Sequence, residues 1–249
     1  TGTQVFSLAG KVNNVGLVEV PMGITVRELV FDVGGGIPKG REFKAIQIGG
    51  PSGGFIPASL LDMPMDYETL AEAGSMMGTG GVVVMDDRTC VVDIARYFLD
   101  FLRDESCGKC TSCREGIKRL LEILTRITEG QGEMADLETL ETLGRVVESV
   151  SLCGLGKTAP NPVLSGLRYF RDEYVAHIVD HKCPAGICKA LIEYYIIADK
   201  CTGCGLCRRK CPQEAISGEK KELHVIDPAL CIKCGTCRDV CKFDAVGVR

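Results

Sequence analysis

The apolar positions of the first 85 residues come in short runs, Val5 to Ala9, Leu17 to Val20, Ala45 to Ile48 and Gly81 to Met85, set apart by Gly and Pro. Short runs bounded by turn residues predict strands. Thr25 to Asp32 has helix-like spacing, so the expectation for this region is a small mixed sheet with a helix against it. Neither glycine cluster, Gly34 to Gly36 or Gly49 to Gly54, gives G-x-G-x-x-G opening a long helix, and both read as turns.

From Asp86 the apolar period lengthens to that of a helix. Val92, Ala95, Leu99 and Leu102 form one stripe, Ile117, Leu120, Leu121, Leu124 and Ile127 a second, and Leu140, Leu143, Val147 and Val150 a third. A fourth helix is predicted from Asn161 as N-cap and Pro162 at the first position, running through Val163, Leu167, Phe170 and Tyr174. Four amphipathic helices with short connections predict a bundle. The last fifty or so residues are a repeat: Cys201 to Cys211 and Cys231 to Cys241 both read C-x-x-C-G-x-C-R-x-x-C. Each copy follows a strand-like run, Tyr195 to Ala198 or His224 to Ile226, and precedes an apolar pair, Ala215-Ile216 or Ala245-Val246.

Composition narrows the class. A 249-residue chain with 45% apolar and 25% charged residues is ordinary for soluble globular protein. The net charge of -4 and the lack of a long basic stripe argue against nucleic acid. The longest apolar stretches, such as Ala190 to Ala198 with Glu193 inside it, fall short of the roughly 20 residues of a membrane helix. No export signal is visible. The 15 cysteines are the outstanding fact. All but Cys90 lie after residue 100, mostly in tight triplets that converge on a point instead of reaching across a domain. This favours metal ligation over disulfides, and predicts a reducing, cytoplasmic location.

A [4Fe-4S] cube needs four thiolates, and C-x2-C-x2-C supplies three from one loop. In a two-cluster arrangement the next cysteine, three residues on, ligates the other cube. The expected sets are Cys201, Cys204, Cys207 and Cys241 for one cube, and Cys231, Cys234, Cys237 and Cys211 for the second. Pro212 follows Cys211 as this pattern expects, whereas Lys242 stands where a second proline would. Arg208, Arg209, Lys210 and Arg238 can offset cluster charge, or else dock a partner. A third triplet, Cys107, Cys110 and Cys113 in ESCGKCTSCREG, lies between the first and second helices, with Cys153 of SLCGLGKTAPNP as its fourth ligand and Lys109 and Arg114 nearby. GLGKT imitates a P-loop, but Ser151 stands where its leading glycine belongs, so ATP binding is not expected.

Three cubes leave Cys90, Cys183 and Cys188. The last two sit in HKCPAGICK, just after His177 and His181. Three thiolates and one imidazole suit a closed tetrahedral zinc site, so Cys90, His177, Cys183 and Cys188 are the expected ligands, with His181 the alternative to His177. The competing reading is a core histidine beside buried, unligated cysteines.

On ESCGKCTSCREG and SLCGLG, residues 1 to about 178 resemble the C-terminal part of the flavin-bearing, NADH-oxidising subunit of respiratory complex I. The C-x4-C segment and two-cluster tail instead resemble the beta subunit of soluble NAD(P)-linked, electron-bifurcating [FeFe]-hydrogenases. The resemblance implies an α+β multidomain chain with a small β-grasp (ubiquitin-like) domain of the soluble-ligand-binding type over 1–85. It further implies a four-helix bundle with one [4Fe-4S] cluster over 86–179, a linker with the zinc site over 180–198, and a two-cluster ferredoxin-like domain over 199–249. It implies an [FeFe]-hydrogenase subunit and a thioredoxin-like [2Fe-2S] subunit as partners, with ferredoxin a further one. The family's glycine-rich FMN and NAD(H) loops have no counterpart here, so those cofactors are expected only outside this segment, and the segment alone is not expected to be catalytic. The expected function is an electron relay through three [4Fe-4S] clusters. The same relay in an NAD-linked formate dehydrogenase and a purely structural iron-sulfur scaffold are the alternatives.

Overall fold

The computed structural model describes residues 2–249, and the chain divides into two compact units, Thr1–Ala185 and Gly186–Arg249. No helix among the described residues is long and apolar enough to cross a membrane.

The first unit opens with a five-stranded mixed sheet: β1 (Thr3–Gly10), β2 (Gly16–Pro21), β3 (Phe43–Ile48), β4 (Gly54–Pro57) and β5 (Gly81–Asp86), in the order β2-β1-β5-β3-β4. The β1–β5 pair is parallel, with Leu8 opposite Val82, and the other neighbours are antiparallel. β1, β2, β3 and β5 arise from the four apolar runs. Alternation sends Phe6 and Leu8 inward from β1, where they join Val20, Ile46, Ile48, Val82 and Val84 in a core closed by Val26, Leu29 and Val30. Those closing residues lie on the helical stretch expected between Thr25 and Asp32. It takes wide π-type turns over Glu28–Val33, following helical Val26 and Arg27. Two elements carried no clear sequence signal: β4, buried throughout, and the six-residue helix α1 (Tyr67–Glu72), capped by Asp66 accepting from Thr69 N–H.

The helices are α2 (Val91–Glu105), α3 (Thr111–Thr128), α4 (Met134–Val150), α5 (Gly154–Thr158), α6 (Asn161–Tyr169) and α7 (Arg171–Ile178). α2, α3, α4 and α6 pack in a closed ring, each against two of the others, with Leu99, Ile117, Leu120, Leu124, Leu140, Val147 and Val163 buried. Two helix expectations need correction. The fourth helix is not continuous through Tyr174: the chain leaves helical geometry at Phe170 (φ -131°, ψ 30°), so α6 and α7 are separate. The bend turns the Phe170 ring edge-on to Phe55 of β4, at 6.4 Å between centroids, a contact that apolar periodicity does not report. Pro160 is also the residue before the helix, and Asn161 is its first residue. The Asn161 side chain instead donates to the Ser52 carbonyl at 3.0 Å, Phe55 N–H donates to Ser165 Oγ at 3.0 Å, and these bonds join sheet to helices.

The second unit shows the repeat in its backbone. It contains β6 (Tyr194–Ile196), α8 (Leu206–Lys210), β7 (Ile216–Ser217), β8 (Val225–Ile226), α9 (Thr236–Asp239) and β9 (Val246–Val248), with β6 antiparallel to β9 and β7 antiparallel to β8. Gly205 and Gly235 precede α8 and α9 in the left-handed region. The same region is visited at the matched pairs Gly203 and Lys233 (φ 64° and 55°) and Glu214 and Asp244 (φ 51° and 46°). The Gly203/Lys233 pair is asymmetric in its surroundings, because a Cβ on Gly203 would stand 2.5 Å from Glu222 N. Gly203→Ala is therefore expected to destabilise the unit by more than about 2 kcal/mol, and Lys233→Ala to change it by less than about 0.5 kcal/mol. The rate at which visible absorbance bleaches on heating measures both; equal rates would show that the clash relaxes.

Candidate iron-sulfur and metal sites

The first cysteine triplet wraps the start of α3. Cys110 is the residue before the helix, Cys113 lies in its first turn, and Gly108 (φ 73°) turns the loop so that Cys107 precedes them. Arg114 donates to the Gly108 carbonyl, and Ser106 Oγ lies 3.4 Å from Cys113 Sγ. Cys153 arrives from the end of α4 as the residue before α5. Gly156, one turn into α5, packs closely against both Ser151 and Cys113, which brings the Cys153 turn beside the triplet. The Ser112 and Ser151 hydroxyls, 3.2 Å apart, tie the two segments together. The N–H groups of Gly156 and Leu155 hold the Cys153 thiol below its ordinary range, which favours the thiolate a metal requires. Cys107 and Cys153 are exposed, Cys110 is partly buried and Cys113 is buried.

In the second unit, burial pushes the Cys207 thiol up, and the nearby sulfurs of Cys204, Cys201 and Cys241 push it further, against one favourable N–H from Arg208. Two of these neighbours come from the same triplet and Cys241 from the far copy. Cys237 is pushed up to about 11, first by burial and then by Cys231, Cys234 and Cys207. Crowded thiolates repel one another, and a cationic iron core at their centre removes that repulsion. A cavity supports the same partition: it is lined by Cys211, Cys231, Cys234 and Cys237, with Tyr194, Ile216 and Ile226 among its apolar walls. Thr236, which the repeat did not single out, lowers the Cys234 pKa through its hydroxyl, 3.4 Å from the sulfur, and its N–H.

Cys90, His177, Cys183 and Cys188 are all buried, and their ligand atoms all lie within 4.8 Å of one another. That spread is compact enough for a single ion. A tetrahedral zinc with Zn–S near 2.3 Å and Zn–N near 2.0 Å puts sulfur and nitrogen about 3.5 Å apart, whereas thiolates at the corners of a cube stand well beyond 5 Å. Cys90 Sγ and His177 Nε2 are 3.3 Å apart, the single-ion separation. His177 Nδ1 donates to the Glu173 carbonyl at 2.7 Å, which assigns the lone pair to Nε2 and turns it toward the sulfurs. Burial works to lower the His177 pKa, but hydrogen bonds to Cys183 and the Glu173 carbonyl outweigh it, and the net shift is upward. His181, the alternative ligand, is exposed with a left-handed backbone and is not in this group.

Comparison with known proteins agrees with this cysteine chemistry. Residues 93–177 match the NADH-ubiquinone oxidoreductase-F iron-sulfur binding region, residues 200–246 the 4Fe-4S dicluster domain, and residues 5–56 the SLBB domain. The NADP-reducing hydrogenase subunit HndC of Solidesulfovibrio fructosivorans is 58% identical over 245 residues, 98% of this chain and 50% of that protein. The chain is homologous to about half of that hydrogenase subunit. An F-type subunit of the NADH-quinone oxidoreductase of Rhizobium meliloti (strain 1021) is 45% identical over 183 residues, 74% of this chain and 44% of that protein. Among solved structures, an NAD+-reducing [NiFe]-hydrogenase in the H2-reduced state superimposes with a TM-score of 0.63 at 32% identity, covering 71% of this chain and 29% of that one. The chain thus spans about half the length of the curated relatives it matches.

Proposed function

We propose that this F-type segment is the electron-relay part of a soluble NAD(P)-linked hydrogenase complex, using three [4Fe-4S] clusters and one structural zinc. The observation that carries the hydrogenase assignment is the extent of the two likenesses. The hydrogenase subunit aligns over 98% of the chain, which takes in the dicluster tail, whereas the quinone-oxidoreductase subunit aligns over 74%. The sheet order β2-β1-β5-β3-β4 with a helical segment over one face supports a β-grasp domain, and the closed ring of α2, α3, α4 and α6 supports the four-helix bundle. The sets of the residue reading stand as the ligands: Cys107, Cys110, Cys113 and Cys153; Cys201, Cys204, Cys207 and Cys241; Cys211, Cys231, Cys234 and Cys237; and Cys90, His177, Cys183 and Cys188 for zinc.

Bound [4Fe-4S] clusters supply one-electron exchange, and the chain sets how readily it occurs. Two devices are visible. Cys107, Cys153, Cys204 and Cys234 are exposed, so each cube keeps an edge toward an incoming or outgoing carrier. Hydrogen bonds to sulfur, such as those from Gly156 and Leu155 N–H to Cys153, raise a cluster's potential by stabilising the added negative charge. Residues 186–249 carry eleven Lys and Arg against eight Asp and Glu, an excess that offsets the charge of two thiolate-bound cubes. Hydride chemistry, an [FeFe]-hydrogenase partner, a thioredoxin-like [2Fe-2S] partner and exchange with ferredoxin, as in electron bifurcation, belong to the complex around this segment.

Metal analysis and reductive titration followed by electron paramagnetic resonance test the proposal together. Roughly twelve irons and one zinc per chain are expected, with all three clusters accepting an electron within a biological range. Clusters that stay oxidised across that range would leave a structural scaffold and overturn the relay. Iron without zinc would remove the metal reading of the Cys90 group alone.

A further inference from the structure

We infer that the Lys44–Glu173 ion pair is a positioning clamp for the zinc site, holding Cys90 and His177 in ligating geometry without touching the metal. This rests on the zinc reading of Cys90, His177, Cys183 and Cys188.

Cys90 sits where the chain turns from the sheet into α2, as the extended residue before the helix (φ -84°, ψ 116°). Its carbonyl accepts from Ile94 N–H at 3.0 Å, and the residues on either side of it are gripped as well. Both neighbours are gripped by one ion pair. Lys44, on β3, donates from Nζ to the Thr89 carbonyl at 2.5 Å. Glu173, on α7, accepts from Val91 N–H through Oε2 at 3.2 Å, while its Oε1 pairs with Lys44 Nζ. The Val91 amide is one of the free donors at the start of α2, so a carboxylate there also answers the helix dipole.

Glu173 acts on the second ligand through its backbone. It lies one helical turn before His177, and its carbonyl receives the Nδ1 proton, leaving Nε2 to face Cys90 Sγ. One residue therefore sets the backbone beside Cys90 and the tautomer of His177. The pair is built for this location: the Lys44 and Glu173 side chains are 14% and 13% exposed, unlike the surface pair Arg27–Asp62 at 51% and 77%. Asp86 completes the approach to Cys90, accepting from Arg88 N–H at 3.2 Å and Thr89 Oγ1 at 2.9 Å. Outer groups that orient ligands in this way typically change metal affinity when removed, with little effect on distant parts of the fold.

The test is competition for zinc between a chelator and the cluster-loaded full chain, in wild type and in the Glu173→Gln, Glu173→Ala and Lys44→Met variants, with Arg27→Met as a surface-pair control. Glu173→Ala and Lys44→Met are expected to weaken zinc binding by roughly 10- to 100-fold. Glu173→Gln, which keeps an acceptor for Val91, is expected to fall between them and wild type, and the control to match wild type. Zinc K-edge X-ray absorption supplies a readout that general destabilisation would not move: three sulfurs and one nitrogen in wild type, and loss of a sulfur in Glu173→Ala at matched occupancy. Should Glu173→Ala fail to fold, Lys44→Met and Glu173→Gln carry the comparison. Wild type holding zinc while these variants bind it within threefold would overturn the clamp and leave the zinc site standing. Wild type taking up no zinc would overturn the zinc reading, and the clamp with it.

Discussion

Removing iron is expected to unfold residues 186–249 while the sheet and helices of residues 2–185 stay folded. The second unit has little else to hold it. Its core cluster joins Ile216, Ile226 and Val246 to buried Cys207 and Cys237, with Tyr194, Ile196, Cys211, Cys231 and Cys241 packed against them, and Leu191, Ile192, Ala215 and Ala245 add a little more buried apolar surface. Its strands are two or three residues long and its helices four or five. A unit of about 60 residues with so small a core does not reach the stability of an ordinary domain unaided. Structural metal ligation is worth on the order of 10 kcal/mol, as much as the whole stability of a typical domain, so its loss decides the outcome. In the apo state the sulfurs crowded around Cys207 and Cys237 would also repel as they ionise. The first unit has a separate core of aliphatic residues, from Phe6 and Leu8 through Ile46, Ile48, Val82 and Val84, that needs no metal. Hydrogen exchange of holo- and apo-protein distinguishes the units. Amides of β6 to β9 should exchange at unfolded rates without iron, while those of β1, β3, β5 and α3 keep their protection. Protection persisting in β6 to β9 would show that the apolar core suffices.

What the sequence made legible and what it did not follow from where each feature's information lies. The triplets of cysteines are local, since three expected ligands fall within seven residues, so their spacing is visible without the fold. Strands β1, β2, β3 and β5 were visible because each apolar run is bounded by turn residues. β4 was not, because Gly54, Phe55, Ile56 and Pro57 follow a run of glycines and read as more turn; its strand state depends on pairing Ile56 with Ile46 of β3. The break between α6 and α7 escaped for a different reason. Phe170 keeps the apolar stripe in register, and the helix ends there to place its ring on Phe55, a tertiary demand with no local signature. The Cys90 group was legible by elimination among cysteines and by the donor chemistry of histidine. Lys44 and Glu173 were not, because a lysine in a strand and a glutamate in a helix are ordinary until the fold brings them to both sides of one cysteine.

Cys153→Ser is expected to remove the cluster of the helical region and leave the helices standing, the reverse of the response in the second unit. The side chain is exposed, and its neighbour Leu152 is 75% exposed, so the substitution opens no cavity. The core that holds α2, α3, α4 and α6 together, with Ile117, Leu120, Leu124, Leu140 and Val147 all at 0% exposure, lies away from it. Serine is itself a favoured residue at the position before a helix, so the turn into α5 is not weakened. What it does not supply is the thiolate. The expected result is the loss of about four of roughly twelve irons, disappearance of one [4Fe-4S] signal on reduction, and helical circular dichroism retained at room temperature. Cys113→Ser supplies the contrast within the same site. That sulfur is buried in α3 beside Gly156, and placing a hydroxyl there is expected to cost an additional 1–3 kcal/mol or so in helix stability along with the same cluster. Full iron retention in Cys153→Ser would move the fourth ligand elsewhere. Melting of the helices would mean that the cluster is part of what folds this region, and that its four helices, for all their apolar core, are not self-sufficient.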